Sequence, residues 1–233
     1  EESINPQAHD RFIEIGPGMG ALTKILNKES IHITAIDIDR DNISYLQKTF
    51  DGPAEYDFVQ DDILSSNFAF LDSNDHRIVG NLPYNISTQI ILKLINYFNQ
   101  IKDMHFLIQR EVAEKITGSP GSKDWGKLGI KLSAFFQTEI LFDVPPEAFD
   151  IKPKVTSSFI RMSPLTKSLV TDDELKNFFE IVDLSFMSRR KNIKNNLKSM
   201  KLDWESLQID NQVRPEDLSL ESYLKIAREI AKI

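Results

Sequence analysis

Along the first 164 residues, short apolar runs alternate with stretches whose apolar positions recur every three or four residues; beyond Pro164 only the second pattern continues. Residues 11–15, 33–39, 56–60, 77–80 and 104–109 read as five short strands. Leu22, Ile25 and Leu26 follow the first at helical spacing. Ile90, Ile91, Leu94 and Ile95 follow the fourth in the same way, and residues 111–117 follow the fifth. Strands alternating with amphipathic helices predict an α/β fold on a mostly parallel sheet. The run 127–136 is apolar at Leu128, Ile130, Leu132, Ala134, Phe135 and Phe136, and reads as helix or strand. Residues 139–144 and 157–162 read as a closing pair of strands. Helical spacing then takes over at Leu175, Phe178, Phe179, Val182 and Phe186, at Ile193 and Leu197, and at Leu220, Leu224, Ile226, Ala227 and Ile230. This predicts a small helical domain over residues 165–233 after a first domain over 1–164.

With 233 residues, 41% hydrophobic and 27% charged, the chain is long enough for a large domain plus a small appendage. No apolar run approaches transmembrane length, and Glu1, Glu2 and Ser3 do not open a signal peptide, so no membrane partner is expected. The lack of cysteine excludes disulfides, thiolate zinc sites and cysteine nucleophiles, and fits a reducing compartment. His9, His32, His76 and His105 are scattered without ligand spacing, and no metal is expected.

The stretch from Val79 to Thr88 carries the most specific chemistry. It ends an apolar strand, turns at Gly80 and Pro83, and enters a helix for which Ser87 or Thr88 is the expected cap. Asn81 to Tyr84 then lie on a rigid loop at the carboxyl end of a strand, where open α/β sheets bind ligands. Asn81 offers an amide acceptor and donor, Pro83 lacks an N–H so that nearby carbonyls are expected to be free, and Tyr84 offers a flat face. These groups suit a planar ligand with an exocyclic amino group. Acceptors that draw the hydrogens of an adenine amino group out of plane would release its lone pair towards an electrophile. The plainer alternative is a strand-to-helix turn with Asn as a turn former.

A second glycine-rich turn, Gly16-Pro17-Gly18-Met19-Gly20-Ala21, follows the first strand and opens a helix. By itself it also satisfies a dinucleotide pattern, so a nicotinamide oxidoreductase is an alternative. Acids, however, mark successive strand ends: Glu14 just before the turn, Asp37, and Asp61. A pyrophosphate calls for N–H donors and positive charge there. Carboxylates suit ribose hydroxyls, an adenine amino group and a cation, and S-adenosylmethionine carries all three. Taken singly, each acid reads equally as a solvated loop charge.

The formal net charge of -7 argues against a nucleic-acid binder unless the basic residues are gathered. They are gathered between Ser185 and Lys201, where Arg189, Arg190, Lys191, Lys194, Lys198 and Lys201 occur with no acid among them. On a helix, Arg190, Lys194, Lys198 and Lys201 would share one face, a stripe suited to RNA phosphates. The alternative is a solvated charged face. Lys115, Lys123, Lys127 and Lys131 would extend the surface if they lie near the site.

In order along the chain come Glu-Ile-Gly-Pro-Gly-Met-Gly-Ala-Leu-Thr at 14–23, Asp-Ile-Asp at 37–39, Gln-Asp-Asp at 60–62 and Gly-Asn-Leu-Pro-Tyr-Asn-Ile-Ser-Thr at 80–88. Gln-Arg-Glu-Val-Ala-Glu at 109–114, Gly-Ser-Lys-Asp-Trp-Gly at 121–126, Val-Pro-Pro-Glu-Ala-Phe at 144–149, Lys-Pro-Lys-Val-Thr-Ser at 152–157 and Ser-Arg-Arg-Lys at 188–191 follow. With these segments the chain resembles the ribosomal RNA adenine N6-dimethyltransferases of the KsgA/RsmA type, which modify small-subunit rRNA. Many methyltransferases share the glycine turn; the segments at 80–88 and 144–157 are far more specific. The resemblance implies a Rossmann-like class I methyltransferase sheet with an antiparallel edge and a C-terminal helical domain that recognises RNA. It implies that Gly16, Gly18 and Gly20 line the methionine part of S-adenosylmethionine, that Asp37 binds the ribose and that Asp61 accepts from the cofactor adenine. Asn81, with the Leu82 and Pro83 carbonyls, would hold the target amino group. Tyr84 would stack on the target base and Phe149 would close its other side; without the resemblance, Phe149 reads as a core residue of a proline-stiffened loop.

The family usually opens with a basic segment bearing a Gln-Asn-Phe-Leu-like run that helps cover the cofactor. The sequence here starts with Glu1-Glu2-Ser3-Ile4-Asn5-Pro6, close to the first strand, and does not include that run. The expected activity is S-adenosylmethionine-dependent dimethylation of N6 of two adjacent adenines in a 16S rRNA hairpin loop, with the 30S subunit as partner. The chain is expected to act as a cytoplasmic monomer without metal. Alternatives are a 23S rRNA adenine N6-methyltransferase of the antibiotic-resistance type, against which Leu82 and the Pro-Pro-x-x-Phe segment lean, and a non-enzymatic assembly or transcription factor on the same fold.

Overall fold

The computed structural model describes residues 2–28, 31–68, 71, 75–188 and 190–230. Its elements are β1 (Arg11–Ile15), α1 (Ala21–Leu26), β2 (His32–Asp37), α2 (Arg40–Thr49), β3 (Glu55–Gln60), β4 (His76–Asn81), α3 (Ser87–Leu94), β5 (Ile101–Gln109) and α4 (Arg110–Thr117). Then come α5 (Lys127–Ser133), β6 (Phe136–Val144), β7 (Ser157–Pro164), α6 (Asp172–Ser185), α7 (Ile193–Asn196), α8 (Trp204–Leu207) and α9 (Leu220–Ile230). The ambiguous run 127–136 is thus a helix that gives way to a strand.

The strands form one seven-stranded sheet in the order β3-β2-β1-β4-β5-β7-β6. β1 is parallel to β2 and β4, β2 to β3 and β4 to β5, whereas β7 runs antiparallel to β5. This is the mostly parallel sheet with an antiparallel edge that the sequence implied. β1, β2 and β4 are buried almost throughout, Glu14, His76 and Arg77 included, which is why they read as mainly apolar runs rather than strictly alternating ones. Phe12, Leu26, Ile33, Ala35 and Val79 belong to one buried cluster on this sheet. The chain steps outward from β1 to β3 and returns to place β4 on the other side of β1. Strand order therefore reverses between β1 and β4, and the crevice at their carboxyl ends is where such sheets bind ligands.

Two compact units are present: Glu1–Ala113 with Glu139–Pro164, and Glu114–Thr138 with Leu165–Ile233. Residues 114–138 thus group with the C-terminal helices. The reason lies in long-range pairing within that second unit. Lys131 of α5 reaches Asp183 of α6 at 2.9 Å, and Trp125 Nε1 donates to the Leu218 carbonyl at 2.8 Å. α6 begins with a reciprocal Thr171–Glu174 capping box, and Glu174 also accepts from Arg228 of α9 at 3.0 Å.

Two local expectations differ. Neither Ser87 nor Thr88 caps α3: the helix starts one residue earlier, with Ile86 at the cap and no side-chain cap bond. The helix expected to carry the basic stripe is broken as well. α6 stops at Ser185, and Asn192 restarts a short α7 by accepting from the Asn195 N–H at 3.0 Å.

Candidate active site

The glycine turn after β1 is left-handed at Gly16, Gly18 and Gly20, with φ of 67°, 55° and 80°. Gly20 is the most constrained: a Cβ there would lie 2.5 Å from the Phe50 ring. Asp37, at the end of β2, closes the turn from the side. Its Oδ2 accepts from the Gly18 N–H at 3.2 Å and from Asn42 at 3.1 Å, and its Oδ1 accepts from the Asp39 N–H at 2.9 Å. The Asp61 N–H donates to the Asp37 carbonyl at 3.1 Å, which fixes the end of β3 beside the end of β2. A cleft of about 100 Å³ results, lined by Gly16, Asp37, Ile38, Asp61, Ile63 and Pro83 among others. Ile38 was not singled out from the sequence. It is 68% exposed, an apolar shelf beside acceptors, and an apolar residue directly after a strand-end acid was its available signal.

Glu14, Gly18 and Gly20 do not line this cleft, and Asn81 lines the neighbouring cavity instead. Glu14 is 2% exposed beneath the turn, and its Oε2 accepts from Thr23 Oγ1 of α1 at 2.6 Å. Burial pushes its carboxyl up to about 7, the Asp37 charge adds to the rise, and the bonds from Thr23 oppose it. Glu14 thus braces the turn from below, and Gly20 serves the turn as the cap of α1.

The second wall of the crevice is the loop after β4. Gly80 lets β4 lie against β1: a Cβ at this position would stand 2.6 Å from the Ile15 carbonyl. Leu82 is buried, and its N–H donates to the Leu107 carbonyl at 3.1 Å. Beyond it, the expectation of free carbonyls around Pro83 is corrected. The Pro83 carbonyl accepts from Ile86 N–H at 3.1 Å and Ser87 N–H at 2.9 Å, because the early start of α3 directs both its lone pairs at helix donors. Among the described residues, the Asn81 side-chain amide and the Leu82 carbonyl have no hydrogen-bond partner. Tyr84 Oη and Ser157 Oγ share a 2.6 Å hydrogen bond.

Asn81, Leu82, Pro83, Tyr84, Phe149 and Ile151 line a cavity of about 250 Å³, together with Pro153. Phe149 arrives from far along the chain through the turn after Pro145 and Pro146, whose carbonyls accept from Ala148 and Phe149 N–H groups at 3.0 and 3.3 Å. Pro83 lines both this cavity and the cleft beside Asp37, so the two share a wall. Among the described residues, no group of His, Cys, Asp and Glu could hold a metal ion, and no helix is long and apolar enough to cross a membrane.

Of the basic cluster, Arg189 lies outside the described residues. Arg190, Lys191, Lys194 and Lys198 carry no ion pair among the described residues, and lie on a turn, the short α7 and the turn after it. In the suggested extension, Lys127 and Lys131 pair with Asp183 at 3.5 and 2.9 Å, and Lys123 pairs with Asp124 at 4.0 Å.

An order-reversing sheet, a left-handed glycine turn and acids at successive strand ends define a Rossmann-like S-adenosylmethionine-dependent methyltransferase. The fold is similar to that of a dimethyladenosine transferase from Plasmodium falciparum, with a TM-score of 0.82 at 22% identity, covering 99% of this chain and 93% of that one. It is also similar to the 23S rRNA methyltransferase ErmE, with a TM-score of 0.74 at 22% identity, covering 98% and 94%. In sequence, the model of the family described as Ribosomal RNA adenine dimethylase matches residues 2–232. The Ribosomal RNA small subunit methyltransferase A of Neisseria gonorrhoeae (strain NCCP11945) is 39% identical over 231 residues, which is 98% of this chain and 88% of that protein. Its namesake from Legionella pneumophila (strain Corby) is likewise 39% identical, over 98% of this chain and 90% of that one. The chain belongs to the ribosomal RNA adenine dimethylase family, as the segments at 80–88 and 144–157 implied, and is an S-adenosylmethionine-dependent methyltransferase.

Proposed function

We propose that this protein dimethylates N6 of two adjacent adenines in a hairpin loop of the small-subunit (16S) rRNA, acting on the 30S subunit as a cytoplasmic monomer. The observation that carries this reading is the wall shared through Pro83 by an acid-lined cleft and an aromatic-lined cavity. Two ligands seated there would meet at the loop after β4.

The donor set fits S-adenosylmethionine. Asp61 would accept from an amino group, Ile38 would offer an apolar shelf for its adenine, and Asp37 would exchange the Gly18 or Asn42 bond for a ribose hydroxyl. Gly16 and Gly18 leave the backbone open towards the methionine part. Bound there, S-adenosylmethionine supplies a methyl group on a positively charged sulfur. The chain's own work lies on the other side of Pro83. Tyr84 and Phe149 take an adenine that has left its stack between their rings. The Asn81 amide oxygen and the Leu82 carbonyl, both uncommitted, accept its two N–H bonds and turn the nitrogen lone pair towards the cleft. Positioning and charge complementarity then do most of the work, and no general base is required beyond water. After the first transfer the nitrogen would release a proton to water and keep one N–H for one of the two acceptors; with S-adenosylhomocysteine exchanged for fresh S-adenosylmethionine, the base would re-seat for the second.

Arg190, Lys191, Lys194 and Lys198, with Arg189 beside them in sequence, supply the charge for rRNA phosphates in an otherwise acidic chain. The identity of about 39% to proteins named for the small subunit favours that substrate over the large subunit. The test is incubation with labelled S-adenosylmethionine and unmodified small or large subunits, followed by mapping of the product. N6-dimethyladenine at adjacent positions of the small subunit is expected; label on the large subunit alone, or tight subunit binding without label, overturns the reading.

A further inference from the structure

The loop between β6 and β7 brings Phe149 to the cavity, and it also carries a residue that the core does not need. Ile151 is 91% exposed, the most exposed large hydrophobic side chain among the described residues. It lines the same cavity as Asn81, Tyr84 and Phe149. The loop that presents it is stiff. Pro145 and Pro146 precede it, Pro153 follows two residues later, and Lys152 Nζ meets Glu147 Oε1 at 2.6 Å across the loop. An aliphatic side chain in water at the tip of a braced loop suits contact with an apolar surface that arrives from outside.

We infer that Ile151 is a wedge that enters the base stack vacated by the target adenine and so keeps that adenine in the cavity. The inference rests on the proposed reading that the substrate is an RNA adenine. A base drawn out of its stack leaves a gap between its former neighbours. If the gap closes without the base, or the base falls back, the time spent in the cavity is short. An apolar side chain placed in the gap replaces the lost stacking contacts, and isoleucine is among the residues that proteins insert between base steps. Such a wedge must be apolar, exposed, rigidly held and at the mouth of the pocket that receives the base. Ile151 meets each requirement, whereas Phe149 and Tyr84 are only half-exposed and form the walls. Because Ile151 makes no contribution to the core, replacing it tests the role without unfolding the protein.

The experiment is methyl transfer to unmodified small subunits with the full chain in excess and saturating S-adenosylmethionine, so that the rate reports events after binding. Ile151→Ala is expected to slow single-turnover transfer about tenfold, while Ile151→Leu restores it to within about twofold of the parent. Subunit and cofactor Kd values and the melting temperature should stay close to parental in both variants. A parental rate for Ile151→Ala overturns the wedge, as does a defect confined to subunit Kd or a Leu variant as slow as the Ala one. A parent chain that transfers no methyl to small subunits overturns instead the reading on which the wedge stands, so the two failures are told apart by the parent alone.

Discussion

Tyr84 Oη and Ser157 Oγ lie 2.6 Å apart and join the loop after β4 to the first residue of β7. Ser157 is fully buried and pairs with Gln109 of β5, so the tyrosine is anchored to the sheet itself. The bond holds the ring by its hydroxyl end and leaves a face for the cavity. Tyr84→Phe keeps the face and loses the anchor. It is expected to lower stability by about 1–2 kcal/mol, because Ser157 is left buried without its partner. Transfer should fall several-fold from the looser ring. Thermal melts and transfer rates on small subunits check both, and unchanged values would show that packing alone orients the ring.

Asn81 is exposed, and its amide has no partner among the described residues, so it holds nothing together. Asn81→Ala is therefore expected to leave stability and S-adenosylmethionine affinity near parental. If the amide oxygen orients the target nitrogen, the loss appears in the transfer rate, by about a hundredfold, the usual scale for removing one preorganised polar contact to a reacting centre. Calorimetry with S-adenosylmethionine and single-turnover assays separate the two effects.

The parts of this protein that were legible in its sequence are those decided locally. β1, β2 and β4 were visible because strands buried on both faces are mainly apolar, with Glu14, His76 and Arg77 as buried exceptions. The glycine turn was visible because three left-handed positions restrict the residue type. Asn81 and Asp37 stood out because each directly ends such a strand. What was hidden depends on approach between distant segments or on a shift of one residue. The pairing of Asp183 with Lys127 and Lys131, which removes two cations from the expected basic surface, joins positions more than fifty apart. The commitment of the Pro83 carbonyl follows from α3 starting at Ile86 instead of at a hydroxyl cap. The break in the basic helix had a local signal, Asn192, whose capping tendency outweighs the helical spacing of its neighbours.

Glu14 gives the fold a pH dependence of definite sign. Its carboxyl lies at about 7 in the folded protein against a usual 4.5, raised chiefly by burial. Between these values the folded state keeps a proton that the unfolded state has released, so stability falls as pH rises through the window. The stabilisation is complete below about 4.5, lost above about 7, and of the order of 3 kcal/mol for a shift of this size. Glu14→Gln retains an acceptor for Thr23 without the charge. Denaturant melts at pH 5, 6, 7 and 8 should therefore show the variant gaining on the parent as pH rises. The difference between the two chains is the informative quantity, because buried His105, whose burial lowers its pKa, contributes the opposite slope to both.

Lys93 carries the last prediction. Its ammonium group donates to the carbonyls of Ile63, Leu64 and Ser66 at 3.2, 2.7 and 2.5 Å and lies 4.9 Å from the centre of the Phe68 ring. Three donors meet three backbone acceptors of the segment after β3, the segment that brings Ile63 and Asp61 to the cleft. Lys93→Met keeps the length of the side chain and removes every bond. It should cost about 2–3 kcal/mol, by leaving part-buried carbonyls without a donor. S-adenosylmethionine binding should weaken severalfold while the rate at saturating cofactor stays near parental, because the target cavity is untouched. Lys93→Arg should not rescue the variant: a planar guanidinium points its N–H groups along a fixed fork and cannot converge on three carbonyls as a rotating ammonium does. Cofactor titration by calorimetry of the three chains decides it, and an Arg variant with parental affinity would show that charge, not the geometry of the carbonyl cage, holds the segment.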